Sequence, residues 1–246
     1  MQKRASVLAI NPNTSLDVTD LLARTLRNAM STIDWRMATG RFGANYILSE
    51  AASVIAAHAA IEAWASQAED CNAVLLACFG DPGLFALREL SAVPVVGLAE
   101  ASMDSAAQAG RFSIVTGGSR WPAMLERLAQ ALGHGGKLIG TRTIGITGAQ
   151  VAAQPDRAAA MLAAACRDAK DNDGADAVIL GGAAFAGLSE RVCAIAGIPV
   201  IDSVLAGAQA AAALAFGATP RYERASGAMP TPSSGLAVAL ADKLLE

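Results

Sequence analysis

Residues 72–84, NAVLLACFGDPGL, align without a gap over thirteen positions with residues 176–188, DAVILGGAAFAGL. Each segment carries an apolar run into a glycine-bearing turn. Each continues through a helical pattern to a second short apolar run, VPVVG at 93–97 and IPVID at 198–202. A unit of strand, turn, helix and strand that occurs twice is an internal repeat, which has to be read before any local motif. A weaker echo links ASVLAINPNTS, starting at Ala5, with FSIVTGGSR, starting at Phe112.

The rest of the chain keeps the same rhythm. Short apolar runs at 6–10, 73–77, 95–98, 112–115, 177–180 and 200–201 alternate with longer helical patterns, the mark of an α/β fold with parallel strands. The repeat therefore predicts two pseudo-symmetric Rossmann-like lobes with parallel sheets. The first takes residues 1–98 and 205–246, the second 99–204. Ligands in such sheets bind beyond the carboxyl ends of the strands, so the site is expected in the cleft between the lobes. A long helix is expected over 44–69, with Ile47, Ala51, Val54, Ile55, His58 and Ile61 forming a core-facing stripe. The Pro-, Gly- and Ser-rich stretch 217–235 reads as a loop that covers a site or merely connects, ahead of a short helix over 236–245.

Composition narrows the function classes. The chain has 246 residues, 53% hydrophobic and 17% charged, with a formal net charge of −3, enough to bury a large core. Its apolar excess is mostly alanine, and no run is long enough to span a membrane. The apolar stretch near the N-terminus is too short for a secretory signal, so a cytoplasmic location is expected. Dispersed basic residues give no groove for nucleic acid and no polybasic lipid patch. Cys71, Cys78, Cys166 and Cys193 lack CxxC spacing, and His58 and His134 stand alone, which argues against disulfide and metal frameworks. No P-loop, dinucleotide fingerprint or GxSxG elbow is present, so nothing demands a cofactor.

Cys78 ends a buried strand, where turn chemistry begins. Asp81 is placed to cap the following helix and Pro82 to occupy its first turn, and that helix N-terminus would favour the thiolate, making Cys78 a base or nucleophile. The alternative is a small buried hydrophobe. Asn11, Pro12, Asn13, Thr14 and Ser15 form a donor-rich turn that suits a carboxylate or a polarised carbonyl, or else an ordinary Asx-turn and helix cap. Thr116–Gly117–Gly118–Ser119 is the matching turn of the second lobe. Gly181, Gly182 and Ala183 would let a ligand approach the backbone, and Gly182 stands opposite Cys78 in the repeat.

INPNTS (10–15), ACFGDPGL (77–84) and RFSIVT (111–116), with the order of strands and helices, resemble the aspartate/glutamate/hydantoin racemase superfamily, and most closely its hydantoin and allantoin racemases. The resemblance implies a cofactor-independent site between two α/β lobes, in which a cysteine from each lobe faces one side of the substrate's α-carbon. It makes Cys78 the first-lobe cysteine and puts Asn13, Thr14, Phe79, Gly80 and Thr116 where the family binds the substrate's oxygen and nitrogen edges. It also implies a small-molecule substrate and a homo-oligomer. Where those racemases read LGC, this chain reads Leu180–Gly181–Gly182. Glycine can neither give nor take a proton, so another group, Thr116 or Ser119 first, or water would serve the second face. Decarboxylases of malonates in the superfamily resemble this arrangement in keeping one cysteine, although the arylmalonate enzymes keep the second-lobe one. Three functions follow: a racemase acting at a carbon α to a carbonyl in a hydantoin- or amino-acid-like substrate, a cofactor-free decarboxylase, or a metabolite-binding protein without turnover.

Overall fold

The computed structural model describes residues 4–146, 148–223 and 230–245. The chain divides into two compact units, Met1–Gly97 with Ala208–Glu246, and Leu98–Gly207. The first holds β1 (Ser6–Asn11), α1 (Leu16–Ala29), β2 (Asp34–Thr39), α2 (Glu50–Gln67), β3 (Ala73–Leu76), α3 (Leu84–Leu90) and β4 (Val95–Gly97). The second holds α4 (Leu98–Ala109), β5 (Phe112–Gly117), α5 (Trp121–Ala131), β6 (Leu138–Ile144), α6 (Gly148–Ala153), α7 (Pro155–Asp168), β7 (Ala177–Gly181), α8 (Ser189–Ala196) and β8 (Val200–Asp202). Helix α9 (Ser203–Ala215) starts in the second unit and ends in the first, and α10 (Val238–Lys243) closes the chain. Of the 217–235 stretch, residues 224–229 lie outside the described residues. No helix among the described residues is long and apolar enough to cross a membrane.

Each unit has a four-stranded parallel sheet, ordered β2-β1-β3-β4 and β6-β5-β7-β8. The α/β class and the duplicated lobe read from the repeat are what the chain adopts. Register repeats as well: Leu76 pairs with Gly97 in one sheet and Leu180 with Asp202 in the other. Strands β1, β3, β5 and β7 are buried along their whole length, because helices cover both faces of an all-parallel sheet and such strands read as continuous apolar runs.

The stripe expected over 44–69 does not face the core, and the helix itself, α2, starts only at Glu50. Ile47 is buried, but Val54 is 69% exposed and Ile55 46%, and His58 is exposed too. The residues that α2 turns inward are Ala56, Ala59, Ala60, Ala63 and Trp64. A helix that is apolar on every side gives its periodicity no direction, and the small alanine side chains let the helix approach the sheet closely.

Candidate active site

In the first unit the sheet order reverses between β1 and β3, and at such a switch point the loops leaving the strands' carboxyl ends form a ligand crevice. The Ala77 N–H donates to the Ile10 carbonyl at 2.8 Å, which holds the two strand ends side by side. The loop after β1 is built around Asn11, fully buried. Its side-chain nitrogen donates to Asn13 Oδ1 (2.9 Å), Thr19 Oγ1 (3.0 Å) and the Ser15 carbonyl (3.1 Å). Ser15 caps α1 by accepting the Val18 N–H. Asn13 spends its oxygen on Asn11 and on the Ser15 N–H, while its Nδ2 and the Thr14 hydroxyl have no partner among the described residues.

The turn after β3 carries Cys78, half-buried, its Sγ 3.9 Å from the Phe79 carbonyl. The N–H groups of Phe79 and Gly80 find no acceptor among the described residues. Two expectations fail here. Helix α3 starts at Leu84, after Gly83 in a left-handed conformation, and has no side-chain cap. Asp81 itself has φ 48° and turns its buried carboxylate against Gly97 instead of capping, and Pro82 lies in the turn before the helix. With no helix N-terminus at the sulfur, burial pushes the Cys78 thiol up from 9.0 to about 12, and the Asp81 charge adds to the rise. Cys78 is therefore a protonated acid at neutral pH, not a standing thiolate.

The shift fixes a pH dependence. Folding raises this pKa, so between pH 9.0 and about 12 the unfolded chain binds fewer protons than the folded one, and the associated stability, present below 9, is lost across that window. Iodoacetamide is expected to label Cys78 more slowly than an ordinary thiol at pH 7. The rate should climb roughly tenfold per pH unit without levelling off near 9, because only the thiolate reacts. Mass-spectrometric mapping across a pH series checks this, and a plateau at pH 8–9 would contradict it.

Tyr46, in the segment between β2 and α2, was not singled out from the sequence. Burial raises its pKa, and a negative charge on Cys78 raises it further, which puts the phenol within electrostatic reach of the thiol. The segment is tied to the β1 loop by Gly40 N–H to Asn11 O (2.8 Å) and Thr14 N–H to Ala44 O (3.2 Å). Nothing in a lone tyrosine of a polar loop signals this in sequence.

The second unit repeats the layout at the carboxyl ends of β5 and β7. Thr116, 4% exposed, donates its hydroxyl to the Gly181 carbonyl at 2.8 Å, which leaves only its lone pairs for a ligand. Ser119 is exposed, and its hydroxyl has no partner among the described residues. Gly182 has φ 120° with ψ 145°, and a Cβ there would meet nothing within 4 Å, so there is space for a side chain but a backbone that disfavours one. Its N–H is taken by Ser203 Oγ at 3.2 Å, whereas those of Ala183 and Ala184 have no acceptor among the described residues. Asn13, Thr14, Cys78, Phe79 and Gly80 thus share one sheet edge in the first unit. Thr116, Ser119, Gly182 and Ala183 share the corresponding edge in the second.

Both histidines have protein partners: His134 is 2.8 Å from Asp104, and His58 is 3.5 Å from Glu62. Among the described residues no group of three or more His, Cys, Asp or Glu is placed to hold a metal ion.

Known proteins share this architecture and much of the sequence. The family model described as Asp/Glu/Hydantoin racemase matches residues 7–211. A hydantoin racemase from Pseudomonas sp. (strain NS671) is 33% identical over 82% of this chain and 82% of its own. An allantoin racemase structure from Klebsiella pneumoniae superposes with a TM-score of 0.85 at 29% identity, covering 96% of this chain and 98% of that one. Arylmalonate decarboxylase shares the fold at greater distance, with a TM-score of 0.60, 21% identity, and 87% and 94% of the two chains covered. A match that runs from the first strand to the last full helix of the duplicated framework makes this chain a member of the Asp/Glu/hydantoin racemase family.

Proposed function

We propose that this enzyme is a cofactor-independent racemase that works by thiol proton transfer at a carbon α to a carbonyl, on a hydantoin-like or amino-acid-like substrate. The observation that carries the reading is the Cys78 thiol in the same turn as the Phe79 and Gly80 N–H groups, which find no acceptor among the described residues. A water on the face opposite Cys78 takes the α-proton, and the electron pair left on the carbon spreads onto the carbonyl oxygen, where fixed N–H donors stabilise the charge. To re-form the C–H bond, the Cys78 S–H bond breaks and its proton goes to the carbon. The thiolate that remains takes the α-proton of the next substrate molecule, and water returns a proton to the opposite face of that carbon. Asn13 Nδ2 and the Thr14 hydroxyl, at the sheet edge that carries Cys78, orient the ring edge of the substrate, and in the second unit the Thr116 lone pairs and the Ala183 N–H are the corresponding groups open to a ligand. Gly182 supplies no thiol, so water serves the second face.

A second reading is favoured by the high pKa of Cys78. A thiol that keeps its proton suits decarboxylation, where the carbon–carbon bond breaks, carbon dioxide leaves and the S–H proton ends on the carbon. Proton NMR in D₂O over a panel of hydantoins, amino acids and malonates separates the two. Exchange of the α-proton with loss of optical rotation is the expected result for a hydantoin. Carbon dioxide release from a malonate would transfer the assignment to the decarboxylase. Tight binding with neither would leave a metabolite-binding protein.

A further inference from the structure

At the junction where the third strand of each sheet meets the end of the fourth, both units bury one carboxylate, but they draw it from opposite segments. In the second unit it belongs to Asp202, 5% exposed, at the end of β8. One oxygen accepts the Gly187 N–H at 2.7 Å, and the other accepts those of Val204 (2.9 Å) and Leu205 (3.2 Å). The next residue, Ser203, 1% exposed, accepts the Gly182 N–H at 3.2 Å. The two ends of the turn 182–187 therefore hang from adjacent residues. In the first unit the position in register with Asp202 is Gly97. There the carboxylate comes from the turn itself, as Asp81, 4% exposed, whose Cγ lies 2.1 Å from where a Cβ on Gly97 would stand.

We infer that Asp202 is a positioning residue, fixing the turn that presents the Ala183 and Ala184 N–H groups, and that Asp81 fills the same role in the first unit from the opposite side of the junction. Its bonds to Val204 and Leu205 cap α9, as a short polar side chain does at many helix starts. The bond to Gly187 serves no cap. It is a charge-assisted bond between a buried carboxylate and the far end of a site turn, and without it the β8 end of the chain reaches the turn by hydrogen bond only at Gly182. The inference deepens the proposed function and rests on it only for the turnover readout below.

Asp202→Asn separates the two roles. The amide oxygen stays with the two α9 donors and keeps the cap, which turns the NH₂ group toward the Gly187 N–H, donor against donor. Amide hydrogen exchange read by NMR is expected to speed up about tenfold or more at Phe185, Ala186 and Gly187, the scale of losing a hydrogen bond to a charged group. Amides in α9 should stay within about twofold. On a substrate that the wild type turns over, kcat should fall about a hundredfold with KM little changed, the effect of roughly 1 Å of misplacement. Asp202→Ala should accelerate exchange in both the turn and α9. Unchanged exchange at 185–187 in both variants overturns the inference, as does equal acceleration of the turn and α9 in Asp202→Asn. If the wild type turns over none of the panel while the exchange pattern follows expectation, the proposed function falls and the positioning role stands.

Discussion

Cys78→Ala is expected to remove α-proton exchange from any hydantoin that the wild type racemises, lowering kcat by about 10²–10⁴, the usual worth of a positioned acid–base group. No other cysteine can stand in. Cys71 precedes β3, at the end of that strand away from the turn, and donates to the Ala68 carbonyl at 3.1 Å. Cys166 is buried in the core of the second unit, and Cys193 lies in α8. Cys78→Ser makes the sharper variant, because a hydroxyl fills nearly the same volume but is a far weaker acid. If Ser lowers kcat as far as Ala does, acidity rather than shape is what the position supplies. Solvent deuterium incorporation and the decay of optical rotation measure the two halves of the reaction separately. Wild-type rates in Cys78→Ala would take the thiol out of the mechanism.

Gly97→Ala should be among the most destabilising single substitutions in the first unit. An added Cβ would sit 2.1 Å from Asp81 Cγ and 2.2 and 2.5 Å from its two oxygens. Asp81 is buried and cannot swing into solvent. Overpacking usually costs 1–3 kcal/mol, and displacing a buried carboxylate from its surroundings adds to that, so about 3 kcal/mol is expected. For a chain of this size that is a fall in Tm of roughly 6–12 °C. The double variant Gly97→Ala/Asp81→Gly checks the cause. Removing the carboxylate clears the space, and glycine accepts the φ of 48° that Asp81 holds, so the two effects should be strongly non-additive. Additive losses by thermal or chemical unfolding would mean that the clash is not what fixes glycine at this position.

Cys78 and Gly97 differ in how far the sequence alone reveals them. Cys78 announces itself in sequence because an apolar run of strand length stops at it and turn residues follow. The same pattern at 177–181 marks Gly182, and two copies of one pattern are enough to require two parallel sheets of the same order. The outer strands β2 and β6 did not show themselves. DWRMAT and LIGTRTI lie at sheet edges, half-exposed, and a strand buried on neither face completely carries no continuous apolar run.

What lay beyond the sequence is what depends on contacts between distant segments. Asp81 before Pro82 reads as a helix cap, since local preference is all that a sequence window shows. It faces Gly97 instead, because the register of β3 with β4 brings that strand end beside the turn. The acidity of Cys78 follows the same logic: a nearby helix N-terminus would lower its pKa, but burial and a neighbouring carboxylate raise it, and both are tertiary facts. Asp202 reads as the last residue of a strand before an alanine-rich helix, and only the folded chain brings the Gly187 N–H to its carboxylate. Periodicity and repetition thus determined the architecture and the strand ends where chemistry can occur. Desolvation and long-range contacts, which no local pattern encodes, decided which way the acidity of the thiol moves and where the buried carboxylates of Asp81 and Asp202 stand.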